Sequence, residues 1–189
     1  RMVLSTFDPQ LARYSDDQAD AFYARLKERV RAISGVQSVG MTSVMPLNQD
    51  NRQSVAIVPE GFQMPRGIES VTVLSSRIDE GYLRTLGVPI LRGRGVEAGD
   101  IADTRLVVVI NQAMATRYWP GQDAIGKRVR FVGRSGQPWA EIVGVTADNK
   151  FNWIGEAPTP WLYIPQRQDT GKRSTLVVAP TLDLVRQWY

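Results

Sequence analysis

Apolar and polar positions alternate along this chain in three distinguishable rhythms. From Asp16 or Asp17 to Ser34 the apolar residues Ala19, Phe22, Tyr23, Leu26, Val30 and Ile33 recur every three or four positions, with Arg25, Glu28, Arg29 and Arg31 facing away. That spacing predicts a long surface helix, started by the oxygens of Ser15, Asp16 and Asp17 and closed by Gly35. A period of two, or a short β-branched run, marks the strands Val36 to Val44, Ser54 to Val58, Val71 to Arg77, Arg128 to Val132, Ala140 to Val145 and Ser174 to Ala179, after a short apolar opening at Met2 to Phe7. The third rhythm is the continuous run Leu106 to Ile110, which suits a strand buried on both faces. Asn111 then caps a helix through Ala113, Met114, Ala115 and Tyr118, which Pro120 and Gly121 stop.

The remaining segments are read from their punctuation. Asp79 is expected to cap a short helix, EGYLRTLG, with Tyr82, Leu83 and Leu86 on one face. Pro89 keeps Val88 to Leu91 from being an interior strand, and Gly93, Gly95 and Gly99 predict a loop. Residues 46 to 52 form a polar loop, and GRSGQP joins two strands as a hairpin. Phe151, Trp153, Trp161 and Tyr163, among Pro158, Pro160 and Pro165, predict an extended edge packed by aromatics; they are also the candidate partner surface. Leu182, Val185 and Trp188 begin an amphipathic helix. The sum is an α+β chain, with too few clean βαβ units for a doubly wound sheet.

Composition then removes chemistry. With no cysteine and no histidine there is no disulfide, no Cys or His zinc site, no thiol nucleophile and no Ser-His-Asp triad. The net charge of +4 is carried by scattered residues with acids between them, a solvated surface and no nucleic-acid footprint. The run Leu106 to Ile110 falls far short of the roughly 20 apolar residues of a membrane span, so the chain as it stands is expected to be soluble. It opens on Arg1 and ends inside an amphipathic pattern, which reads as part of something longer.

Four candidates are weighed and set aside. Gly121, Gly126 and Lys127 stand at P-loop spacing, but Arg128 replaces the magnesium-binding hydroxyl and the glycines follow a helix instead of opening one, so no Mg-ATP site is expected. Glu97, Asp100 and Asp103 lack the Gly and the bidentate Glu of a calcium loop, and Arg92-Gly-Arg94-Gly lacks interleaved aromatics. A glycosidase pair such as Glu141 and Asp148 has nothing to mark it. No catalytic, cofactor or metal residues are assigned.

Four segments together resemble a known family: RLKERVRAISGVQSVGMTSVMPL at Arg25 to Leu47, RIDEGYLRTLGVPILRGRGV at Arg77 to Val96, VVVINQAMATRYWPGQDAIGKRVR at Val107 to Arg130, and EIVGVTADNKFNWIGEAPTPWLYIPQ at Glu141 to Gln166. They are similar to the periplasmic core domain of MacB-like, FtsX-like ABC transporter permeases, most of all those in which the module is duplicated. The likeness departs after Val178, where the chain runs APTLDLVRQWY.

What the resemblance implies is a non-enzymatic, extracytoplasmic domain of an inner-membrane permease, coupling cytoplasmic ATP hydrolysis to periplasmic movement for export or efflux. It implies two lobes, a porter-like one from residues 1–86 and 155–189 and an inserted β-rich, sabre-like one from 87–154. Its partners would be membrane helices of the same chain, a cytoplasmic ATPase acting indirectly, a second permease and a periplasmic adaptor or substrate. The alternative is a module that binds a ligand, a lipoprotein or an adaptor.

Overall fold

The fold is that of a computed structural model describing residues 2–45, 52–133, 135–149, 155, 157–169 and 173–181. Phe151, Trp153 and the expected helix at Leu182, Val185 and Trp188 lie outside the described residues. The elements run β1 (Val3–Phe7), a 3-10 turn (Pro9–Ala12), α1 (Asp16–Arg31), β2 (Val36–Thr42), β3 (Ser54–Pro59), β4 (Val71–Ile78), α2 (Tyr82–Leu86), β5 (Ile90–Gly93), β6 (Val107–Asn111), α3 (Gln112–Tyr118), β7 (Arg128–Phe131), β8 (Trp139–Thr146), β9 (Trp161–Pro165), a 3-10 turn (Gln166–Gln168) and β10 (Ser174–Pro180). This is the expected α+β class, and no helix among the described residues is long and apolar enough to cross a membrane.

The strands form one sheet with a closed part and an open part. Strands β4, β3, β7, β8, β6 and β9 are bonded in that order, and a parallel pairing of β9 with β4 closes the ring. Alternation along the ring strands explains its core: Ile57, Val73, Val108, Ile110, Val129, Phe131, Ile142, Leu162 and Ile164 share one cluster, which α3 completes with Met114 and Tyr118. The open part is β1-β10-β2, joined to β4 by a single residue pair, Thr42 with Ile78. Helix α1 covers one face of it, where Tyr23 meets Val39, Met41, Leu176 and Val178.

Local sequence accounts for most element limits. Ser15 and Gln18 form a reciprocal capping box at α1, the Ser15 hydroxyl accepting from Gln18 N–H while Ser15 N–H donates to Gln18 Oε1. The helix stops at Arg31, so Ile33 lies beyond the apolar stripe assigned to it and is exposed.

Three expectations are corrected. Asp79 is not the cap of α2; Gly81 holds that position without a side-chain bond. The loop after Pro89 is a strand over Ile90–Gly93, and it pairs with β8 alone among the described strands, which a flanking proline permits. The aromatic segment is not an edge: all five residues of β9 are buried, between β4 and β6. Its prolines sit before the strand and at its last position, where they remove few ladder donors, so they do not exclude it from the interior.

Candidate functional site

A cleft of about 400 Å³ lies between α1, the β4–α2 turn, the loop before Asp100 and the turn at Gln166. Its walls carry both signs of charge over an apolar floor that includes Met41, Ile78 and Val96. Helix periodicity puts Lys27 on the buried stripe, four residues after Tyr23 and eight after Ala19. Its ammonium donates to Asp79 Oδ2 at 2.9 Å and Glu80 Oε1 at 3.0 Å, and Arg31 stands 3.6 Å from the same Glu80 oxygen. Asp79 is buried and accepts also from Met41 N–H at 2.8 Å and Gly81 N–H at 3.1 Å, so one carboxylate ties α1, β2 and α2 together.

Electrostatics follow from that geometry. Burial opposes charge on Lys27, but Asp79 and Glu80 outweigh it and hold the ammonium above the ordinary lysine value. Burial likewise works against Glu80, yet its own backbone N–H and Lys27 hold its carboxyl below the usual range. Burial raises Asp20 against the pull of Arg167 across the cleft. On the far wall Arg94 grips Asp100 with both nitrogens at 2.8 Å, which keeps Asp100 low despite burial.

Replacing Lys27 with methionine is expected to cost about 3 kcal/mol, because it strands a buried carboxylate. A raised lysine contributes stability that is complete below its unfolded value and lost as pH rises through the folded one. The gap in urea midpoint between wild type and Lys27→Met should therefore shrink as pH is raised towards 11 and beyond; a gap constant from pH 7 upward would contradict the pairing.

Two glycines set how closely α2 lies on β2. A Cβ at Gly81 would fall 2.1 Å from the Val39 carbonyl oxygen, and one at Gly40 2.5 Å from Tyr82 Cα. Next to this contact a cluster of Val44, Ile78, Tyr82, Leu83, Val109, Trp161, Tyr163 and Val177 joins the ring's outer surface to the open sheet. Trp161 and Tyr163, two of the candidate partner residues, are thus interior, with Trp161 Nε1 donating to Ser76 Oγ at 3.1 Å. Burial on both faces of β9 places Leu162 and Ile164 in the ring core and Trp161 and Tyr163 in the junction.

The motifs set aside earlier have structural duties. Gln122, Gly126 and Lys127 N–H groups donate to Trp119, Ile142 and Ala124 carbonyls, and Ile125 N–H donates to Asp123. Glu141 pairs with Arg105, and Asp148 accepts from Asn111 and Ala113. Lys27 and Glu80 were not singled out from sequence, and Asp79 only as a helix cap, although a lysine on the apolar stripe of α1 was a usable signal. Chemically the arrangement is a joint of paired charges.

Comparison with known proteins bears on family and fold. The model of the MacB-like periplasmic core domain matches residues 3–184. No curated protein matches the chain. Among solved structures, the periplasmic region of MacB from Actinobacillus actinomycetemcomitans superposes with a TM-score of 0.61 at 18% identity, over 98% of this chain and 78% of that one. The extracellular domain of the noncanonic ABC-type transporter YknZ from Gram-positive bacteria gives 0.60 at 17%, over 99% and 88%. A domain of a putative permease from Porphyromonas gingivalis gives 0.53 at 15%, over 82% and 66%. At these identities the likeness is one of fold.

Proposed function

This chain belongs to the family of MacB-like periplasmic core domains, extracytoplasmic parts of ABC transporter permeases, and we propose on that premise that it transmits movement of membrane helices to the outer side of the membrane. The movement is driven by ATP hydrolysis on a cytoplasmic partner and serves export or efflux; the domain itself carries no catalysis. One observation supports this above the others. Val3 at the start of β1 lies opposite Val178 near the end of β10, on neighbouring antiparallel strands. Chain on either side would enter and leave at one end of the sheet, where two adjacent membrane helices would act on it together.

The porter-like ranges 1–86 and 155–189 and the sabre-like range 87–154 then move as one body. They are bonded to each other through β3 with β7 and β6 with β9, and packed cores resist continuous deformation. Spin labels at exposed Arg25 and Gln122 of an otherwise cysteine-free permease test the proposal. The distance between them within one chain should stay constant between nucleotide-free and ATP-bound states, while the distance from Gln122 to its counterpart in the partner changes. An unchanged distance between partners would overturn transmission, and a changed one within the chain would overturn the rigid body.

A further inference from the structure

One row of side chains crosses the outer face of the ring. Val58, Arg130 and Trp139 are direct partners on β3, β7 and β8, so they share a face. Their chain neighbours Ile57, Val129, Phe131 and Ala140 lie in the ring core, which turns the row outward. Trp119 and Trp161 are buried, but Trp139 is 41% exposed. Two guanidinium groups stand over its indole, Arg128 at 5.1 Å and Arg130 at 5.9 Å from the ring centroid. They differ in what neutralises them. Arg128 is bonded to the Glu60 carboxylate, and Glu141, its partner across β8, is held by Arg105. Arg130 has no ion pair among the described residues; its Nη1 donates to Gln137 Oε1 at 2.7 Å. Gln137 stands in the hairpin at φ 43°, a left-handed conformation that residues other than glycine seldom adopt. Strain of this kind persists where a side chain has to be held in place, and here it holds the amide against Arg130.

We infer that this row is a docking surface for an acidic segment of a second protein on the outer side of the membrane. From the function proposed above the inference takes one element, that both chain ends face the membrane. Val3, Val178 and Val39 lie abreast at those ends. Along β2 three residues lead from Val39 to Thr42, abreast of Ile78, and along β4 seven more lead to Val71, abreast of Ile57 and so of Phe131. Strands β2 and β4 overlap only at that one pair, so β4 continues the line of β2, and the row stands roughly 30 Å of strand away from the chain ends. Its chemistry selects the occupant. An unneutralised guanidinium takes a carboxylate through two N–H groups, and an exposed indole beside it takes apolar surface. A free anion such as phosphate would leave the indole wet, and a basic or wholly apolar partner would bury the Arg130 charge unpaired. A protein segment with carboxylates set among apolar side chains satisfies both groups, and tryptophan and arginine are the residues that dominate such contacts.

The probe is a fluorescein-labelled dodecapeptide of alternating glutamate and valine, titrated with the 189-residue chain and read by fluorescence polarisation. Binding should be saturable and should weaken with added salt. Arg130→Gln and Trp139→Ser should each weaken it about tenfold or more, with the far-UV spectrum unchanged. Arg25→Gln, an exposed cation on α1, should leave it within about twofold of wild type. Arg130→Glu should reverse the preference, so that a peptide with lysine in place of glutamate binds better. No saturable binding, or an equal loss in Arg25→Gln, would overturn the inference. Displacement by inorganic phosphate beyond that by sodium chloride of equal ionic strength would mark a site for small anions and overturn it as well. The titration involves neither nucleotide nor membrane, so its failure is separate from a failure of the spin-label test of transmission.

Discussion

Replacing Asn111 with alanine is expected to lower stability by about 4 kcal/mol or more, read as a shift in denaturant midpoint at constant slope. The side chain is fully buried at the end of β6. Its Oδ1 accepts from Met114 N–H at 3.1 Å and Trp161 N–H at 2.8 Å, and its Nδ2 donates to Asp148 Oδ1 at 2.8 Å and the Thr159 carbonyl at 2.9 Å. Alanine strands two backbone donors and a carbonyl, each costing about 1–3 kcal/mol when buried without a partner. The isosteric Asn111→Asp separates geometry from donor chemistry. Its carboxylate would point at the Asp148 oxygen and the Thr159 carbonyl with no proton to offer, so its pKa is pushed up. A raised carboxyl destabilises fully above that pKa and recovers as pH falls through it. Refolding strength in Asn111→Asp should thus improve, relative to wild type, on acidification; parallel pH profiles would refute the network.

The second large effect is expected at the joint. Gly81→Ala and Gly40→Ala each drive a methyl group into backbone, the Val39 oxygen in one case and Tyr82 in the other, and backbone cannot rotate aside as a flexible side chain would. Overpacking of a core costs about 1–3 kcal/mol; a backbone clash at the seam belongs at or above the top of that range. Gly99→Ala is the control, since nothing lies within 4 Å of its new Cβ and its φ is not left-handed. It should unfold at the wild-type midpoint. If Gly81→Ala does the same, the close approach of α2 to β2 is wrong.

These residues show what a sequence discloses. Asn111 was legible as a helix cap because Met114 is three residues on, and cap chemistry is local. Its bonds to Asp148 and Trp161 span 37 and 50 residues, and no local pattern announces them. The aromatic content of the β9 segment was plain, but the strand's place between β4 and β6 depends on a ring closed by parallel pairing at long range. A strand buried on both faces shows no alternation, so nothing in WLYIP distinguishes junction from ring core or surface. Lys27 was visible as a charge and as a member of the apolar stripe; its carboxylate partners, 52 and 53 residues distant, were not.

The position of β10 has a consequence in time. It lies between β1 and β2, yet it is the last of the described strands to be synthesised. From the emergence of Thr42 to that of Ser174, at about 5–20 residues per second, the two early strands wait on the order of ten seconds with the central place of their sheet empty. During that interval α1 has only half a surface to cover, and the backbone edges later joined by β10 are open to whatever strand comes first. A chain halted before Ser174 never fills the gap. The quality of this sheet is therefore decided only once β10 has been made, and its early strands depend on being shielded until then.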